Sequence, residues 1–151
     1  MILIIVFDGL RTDQVTKKHT PTIAQLAQHG VQFNAHHATF PTETRVNVAS
    51  LVTGCYPDRH GLVANEFYQY SPKGPQKINT GTYHDLLTLP EQGDSILHTK
   101  CLSELLGPTR RIVTINIGTS GNAYLNDHKA VENNDVLIHP EFSLPSSTGT
   151  T

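Results

Sequence analysis

The sequence predicts an α/β layered fold, and three observations carry that prediction. Residues 2–7 are continuously apolar and rich in β-branched side chains, the composition of a strand covered on both faces in a parallel sheet. Ile112-Val113-Thr114-Ile115 repeats that pattern late in the chain. Between them lie helical segments whose ends are written in by caps and stops.

Taken in order, the first strand runs over residues 2–7 and ends at Asp8-Gly9. Thr20 then Pro21 supply an N-cap and a first helical residue, Ile23, Leu26 and Ala27 form one apolar face, and Gly30 supplies a left-handed stop. Val31-Gln32-Phe33 has the length of a short strand. Around Pro41 and Thr42 the chain is poor helix material, whereas Val48, Leu51 and Val52 recur at helical spacing before Gly54. Thr44 therefore sits at or near a helix N-terminus. Residues 64–94 carry Pro72, Gly74, Pro75, Gly81, Pro90 and Gly93 and read as a long excursion. Ile96, Leu97, Cys101, Leu102, Leu105 and Leu106 line a further helix stopped by Gly107-Pro108, and the strand at 112–115 follows.

Composition narrows the partners. The 151 residues suffice for one domain, since a chain of that size buries about 70% of its unfolded surface. A net charge of −2 and a pI near 6.5 provide no basic field for a nucleic-acid polymer. Cys55 and Cys101 stand far apart in sequence and read as free, packed thiols. The apolar opening is far shorter than the ~20 residues of a membrane span and lacks a basic signal-peptide region. No membrane segment or leader is visible, so a cytoplasmic location is the default, with periplasmic or extracellular placement if the chain lacks its natural start.

The chemistry lies in two places. Ligands of open α/β sheets gather outside the carboxyl ends of strands, where the first strand places Asp8. A helix beginning at Thr44 turns free N–H groups and a positive dipole end towards an anion such as phosphate or sulfate. A threonine hydroxyl is a poor nucleophile at neutral pH unless a base or a metal removes its proton, which a carboxylate-bound Zn²⁺ would do.

These residues resemble the alkaline phosphatase superfamily, and within it the nucleotide pyrophosphatase/phosphodiesterase branch. Val6-Phe7-Asp8-Gly9-Leu10-Arg11 looks like the branch's opening metal motif, and Thr20-Pro21-Thr22-Ile23 through Gly30-Val31 looks like its first helix. The segment from Phe40 to Gly54, with Tyr56-Pro57 and His60-Gly61 behind it, is similar to the nucleophile motif. The likeness covers about the first 66 residues, with a fainter echo in Leu102–Leu106 and Thr119-Ser120-Gly121. Counting back from Gly54 places the nucleophile on Thr44, with Thr42 as second choice, and the phosphate-supporting Asn on Asn47.

The resemblance implies a three-layer α/β/α fold with a mostly parallel central sheet, of which residues 1–151 are the N-terminal part of one catalytic domain. It implies hydrolysis of phosphoric esters or diesters, such as nucleotide pyrophosphate bonds, through a covalent phospho-threonine. Two Zn²⁺ per complete site, or other divalent ions, are implied, with Asp8 and Thr44 as ligands. The expected substrate is a small phosphate ester or nucleotide. Arg45 and Val46 replace the family's Phe-Pro, and Val48 replaces its His, which leaves a phosphonate or sulfate ester hydrolase of the same superfamily as the alternative. Sulfatases of that superfamily carry Cys or Ser at the position of Thr44, so threonine favours phosphorus. The family's downstream Asp-x-x-x-His and Asp-His ligands have no counterpart, because His84-Asp85 and Asp127-His128 stand in segments that do not resemble those motifs. The expectation is a truncated chain, inactive by itself.

Other residues have plainer readings. His60 before Gly61 reads as a structural turn residue bonded to backbone. His36 and His37 point to opposite faces of an extended segment, one solvated and one packed. Tyr68, Tyr70 and Tyr83 could stack on a nucleobase, but exposure or core packing is the ordinary role of such tyrosines.

Overall fold

A computed structural model describes residues 1–71, 74–89, 96–107 and 109–148. Contacts divide the chain into two units, Met1–His37 and Ala38–Thr151.

In the first unit the helix expected from the Thr20-Pro21 signal forms as α1, Pro21–His29. Its buried residue is Ala24, while Leu26, expected on the apolar face, is exposed. Thr20 occupies the N-cap position, but its Oγ turns back to the carbonyls of Gln14 and Thr16 and accepts the Thr16 N–H, rather than capping the helix. Gly30 ends α1 in extended backbone, φ −111°, not in the left-handed stop expected of it; its N–H still reaches the Leu26 carbonyl at 2.9 Å.

The strand expected over residues 2–7 does not form. A strand exists only through its ladder, and no described residue pairs with this segment. Its side chains stay exposed, from 57% at Phe7 to 86% at Ile2. Val31–Phe33 forms no strand either.

The second unit opens with α2, Thr44–Thr53, closed by Gly54 in the left-handed conformation that glycine accepts without a Cβ clash, φ 66°. Its buried stripe is Val46, Ala49 and Val52, one position round from the expected face, and Leu51 is 52% exposed. Helix α3, Pro57–His60, follows at once. Residues 64–94, expected as an excursion, contain an antiparallel hairpin of β1, Glu66–Ser71, and β2, Gly74–Asn79, then α4, Tyr83–Thr88. Through Ile78 and Leu86 this stretch delivers fully buried side chains. Its residues 72, 73 and 90–95, with Pro72, Pro90 and Gly93 among them, lie outside the described set.

The helix expected over 96–106 shortens to α5, Leu102–Leu106. Glu104 accepts the Cys101 N–H at 2.8 Å, which begins the helix at Leu102 and leaves Ile96 and Leu97 in the preceding bends. Gly107 stops it, while Pro108 is outside the described residues. Strand β3, Val113–Ile115, forms as expected and pairs parallel with β4, Val136–His139, which pairs antiparallel with β5, Phe142–Leu144. Between β3 and β4 run α6, Ser120–Asn126, and α7, Ala130–Asn133.

Helices α2, α4 and α6 meet around a core that includes Ala49, Leu86, Ala123, Leu125 and Leu137. Gly121 permits the closest approach: a Cβ there would lie 2.0 Å from the Thr80 carbonyl oxygen, and its N–H donates to the Gly81 carbonyl at 3.0 Å. Tyr83 stacks on Phe142 and meets Tyr124 edge-on, so it is a core tyrosine, whereas Tyr68 and Tyr70 are exposed. The described architecture is α/β, with helices around small mixed sheets. No helix among the described residues is long and apolar enough to cross a membrane.

Candidate active site

Thr44 is the first residue of α2, half-buried, with Glu43 in extended backbone before it. Both neighbours of Thr44 are tied to one residue, Asn65. The Glu43 carboxylate accepts the Asn65 backbone N–H, and the Arg45 backbone N–H donates to Asn65 Oδ1 at 3.2 Å. The Arg45 guanidinium adds contacts to Thr80 Oγ1 at 2.8 Å and the Asn65 carbonyl at 3.4 Å. Thr80, fully buried, donates to the same carbonyl at 2.8 Å. Burial lowers the Arg45 pKa, and the charges of Glu43 and Glu66 oppose that shift. A guanidinium keeps its proton under these conditions. The residues on either side of Thr44 are thus fastened to Asn65.

Asn47, one turn into α2, holds the incoming loop. Its Oδ1 accepts the Thr39 N–H at 2.7 Å, and its Nδ2 faces the carbonyls of Thr39, Pro41 and Glu43 at 3.0 to 3.3 Å. An amide carries two N–H bonds, so the three carbonyls compete for them. Thr42, in the same loop, is exposed. At the other end of α2, Thr53 donates to the Ala49 carbonyl and accepts the Cys55 N–H, securing the stop at Gly54.

His60 shows why a serine near a histidine is not a catalytic pair here. The ring is fully buried, and its Nδ1 accepts the Leu62 N–H at 3.1 Å. Nε2 therefore carries the proton and donates to Ser50 Oγ at 3.0 Å, so this tautomer cannot draw a proton from the serine. Burial lowers the ring pKa, with Asp58 opposing and His98 assisting. The structural reading of His60 holds. His36 and His37 are both exposed, where one packed ring was expected.

Asp8 lies in the first unit, exposed, within a turn in which the Leu10 N–H donates to the Phe7 carbonyl at 3.3 Å. The structure brings Thr44 and Asn47 together on one helix, and Asp8 belongs to the other unit. Glu43, Asn65 and Thr80 escaped the sequence reading. Arg45 stood out only as a departure, because its partners Asn65 and Thr80 lie 20 and 35 residues away and no local pattern announces them.

Among the described residues, a further group of ligating side chains lies in the second unit. A ligand atom from each of Cys101, Glu104 and His128 sits within 4.8 Å of the others. Beside it, burial pushes Asp127 up to about 6, with the neighbouring Asp135 adding to the rise. Cys55 and Cys101 are free thiols, Cys101 buried and Cys55 half-buried, as expected.

Residues 2–100 match the family model described as type I phosphodiesterase / nucleotide pyrophosphatase. The chain is similar to bis(5'-adenosyl)-triphosphatase enpp4 of Xenopus laevis, 36% identical over 72 residues, which is 48% of this chain and 16% of the relative. An uncharacterized pyrophosphatase/phosphodiesterase of Schizosaccharomyces pombe is 34% identical over 79 residues, 52% of this chain and 16% of the relative. Human ectonucleotide pyrophosphatase/phosphodiesterase family member 5 is 36% identical over 67 residues, 44% of this chain and 14% of the relative. The chain thus spans well under a fifth of the length of these curated relatives. No solved structure matches.

Proposed function

Because the chain belongs to the type I phosphodiesterase / nucleotide pyrophosphatase family, we propose that its protein hydrolyses phosphoric esters and diesters, including nucleotide pyrophosphate bonds, through Thr44. The observation that carries this reading is the placement of Thr44 as the first residue of α2, between Glu43 and Arg45, which are both held by Asn65. A nucleophile gains rate when its approach is restricted to a productive direction. The N-terminal end of α2 favours the anionic phosphate by its dipole and amide donors.

In this reading the Thr44 hydroxyl gives its proton to solvent and its oxygen bonds to phosphorus, while the ester oxygen departs with its bonding pair and takes up a proton. Water then attacks phosphorus, releases phosphate or a phosphate monoester, and returns the hydroxyl to Thr44. Asn47 supports a phosphate oxygen through an Nδ2 proton drawn from the three carbonyls that now share it. Asp8 and Thr44 provide hard oxygen donors that suit a divalent ion, two of the three or four donors that zinc requires. Two Zn²⁺ per complete site would supply Lewis-acid lowering of the hydroxyl and water pKa values. Of the three strand pairings among the described residues, β3–β4 is parallel and the other two are antiparallel, so a mostly parallel three-layer sheet rests on the family resemblance.

In the whole protein, Thr44→Ala should lower turnover of bis-p-nitrophenyl phosphate by at least about a thousandfold, the loss expected of a missing nucleophile. Rapid quenching of the unaltered protein should trap phosphate on the peptide containing Thr44. Near-normal turnover by the variant, or faster turnover of p-nitrophenyl sulfate or phosphonoacetate than of the phosphodiester, would sink the assignment.

A further inference from the structure

We propose that Cys101, Glu104 and His128 form a zinc site that ties α5 to the turn between α6 and α7. Their ligand atoms lie within 4.8 Å of one another, close enough for an ion with bonds of about 2.0 to 2.3 Å to draw them together with small side-chain rotations. Cys101 and His128 are buried, at 1% and 5% exposure, and Glu104 is half-buried. The donor set selects the ion. A thiolate, an imidazole and a carboxylate suit zinc, whereas calcium and magnesium seek all-oxygen shells. Three protein donors leave a fourth position for water.

Capping explains part of the arrangement, since one Glu104 oxygen accepts the Cys101 N–H. The carboxylate has a second oxygen, so the cap and an ion can be served together. Helix capping gives no reason for a histidine from a segment 24 residues downstream of Glu104 to share the pocket.

The surroundings of the three donors are buried and polar. Asp127 is fully buried, with Ser103 and the carboxyl group of Asp135 beside it. Ser103 in turn places its Oγ 3.1 Å from Cys101 Sγ. Zinc binding on Cys101, Glu104 and His128 releases the Cys101 thiol proton to solvent. The site shares no residue with Asp8, Thr44 or Asn47, so it can be scored independently of the phosphodiesterase reading.

The test titrates the metal-depleted whole protein with Co²⁺ as a spectroscopic stand-in for zinc. Titration through three equivalents, enough for this site and the two ions of the proposed active site, should produce thiolate-to-cobalt charge-transfer absorption that zinc abolishes by displacement. Cys101→Ser should remove the absorption, whereas Cys55→Ser and Thr44→Ala should keep it. His128→Gln should weaken cobalt binding by at least about tenfold with the far-ultraviolet circular dichroism unchanged. Should Cys101→Ser not fold, alkylation of the unaltered protein decides, at a urea concentration where the buried Cys101 of the metal-free protein reacts: zinc should shield Cys101 from a thiol reagent and leave Cys55 reactive. No thiolate absorption, absorption that depends on Cys55, or equal alkylation of Cys101 with and without zinc would overturn the proposal.

Discussion

Residues 2–7 and residues 44–54 both announce a regular element, yet only the second forms one. A helix satisfies its backbone from within, and α2 has Thr44 at its start, Val46, Ala49 and Val52 on its buried stripe and Gly54 at its stop. The apolar segment 2–7 needs neighbours on either side before its N–H and C=O groups are paired, and among the described residues none pairs with it. Five of its six side chains are more than 60% exposed, whereas Val46 and Ala49 of α2 are fully buried. An apolar pattern states a demand for burial; it does not supply the partner that meets it.

Substitutions can break this comparison, and the largest effect is expected where α2 and its partner helix are held against the hairpin. Gly121→Val places side-chain carbons where the Thr80 carbonyl already stands at 2.0 Å from the built Cβ. It should destabilise the second unit by about 3 kcal/mol or more, read as a lower urea midpoint. An unchanged midpoint would mean that α6 does not seat against the hairpin end.

A smaller and more selective effect should follow Asn65→Ala. The change removes the Oδ1 acceptor of the Arg45 N–H and leaves the backbone bonds of residue 65 in place. About 1 kcal/mol of stability should be lost, with turnover by Thr44 falling further than binding. A change in KM alone would show that the clamp does not position the nucleophile.

His60 sharpens the picture through pH. Its folded pKa lies below its unfolded value because of burial, so the unfolded chain binds the extra proton first. Its contribution is therefore complete above the unfolded pKa, near 6.5, and is lost as pH falls towards the lower folded value. Protonation also ends acceptance of the Leu62 N–H by Nδ1. Unfolding at a series of pH values should show this decline, and His60→Gln should flatten it. A slope unchanged in the variant would remove His60 as its source.

The smallest effect belongs to the first unit. Arg11 and Asp13 form an exposed ion pair at 2.8 Å that holds Asp13 below the usual carboxylate range. Arg11→Ala should leave the thermal midpoint unchanged within error, because solvent already screens the pair. A clear drop would show that the Asp8–Asp13 turn depends on it.

Much of the site was legible locally and much was not. Thr44 as a helix start could be read from Pro41 before it and Gly54 after it, and His60 as a turn residue from Gly61. The buried stripe of α2 could not be placed, because Val48 and Val46 are equally apolar and only the tertiary packing that buries Val46 completely distinguishes them. Residues 64–94 were misread as outside the core because their proline and glycine punctuation hides a hairpin. In a two-stranded ribbon Pro75 can pair with Tyr70 without a missing ladder bond on a further strand.

By itself the sequence determined the α/β class, the extents of α1 and α2, strand β3 and the family to which these residues belong. Each rests on signals a few residues apart, or on a string long enough to be specific. Only the tertiary structure decided that Asn65 holds both neighbours of Thr44 and that Gly121 must lack a side chain. It alone gathered Cys101, Glu104 and His128. Those are meetings of residues distant in the chain, selected by three-dimensional packing and hydrogen bonding, and no local pattern encodes them.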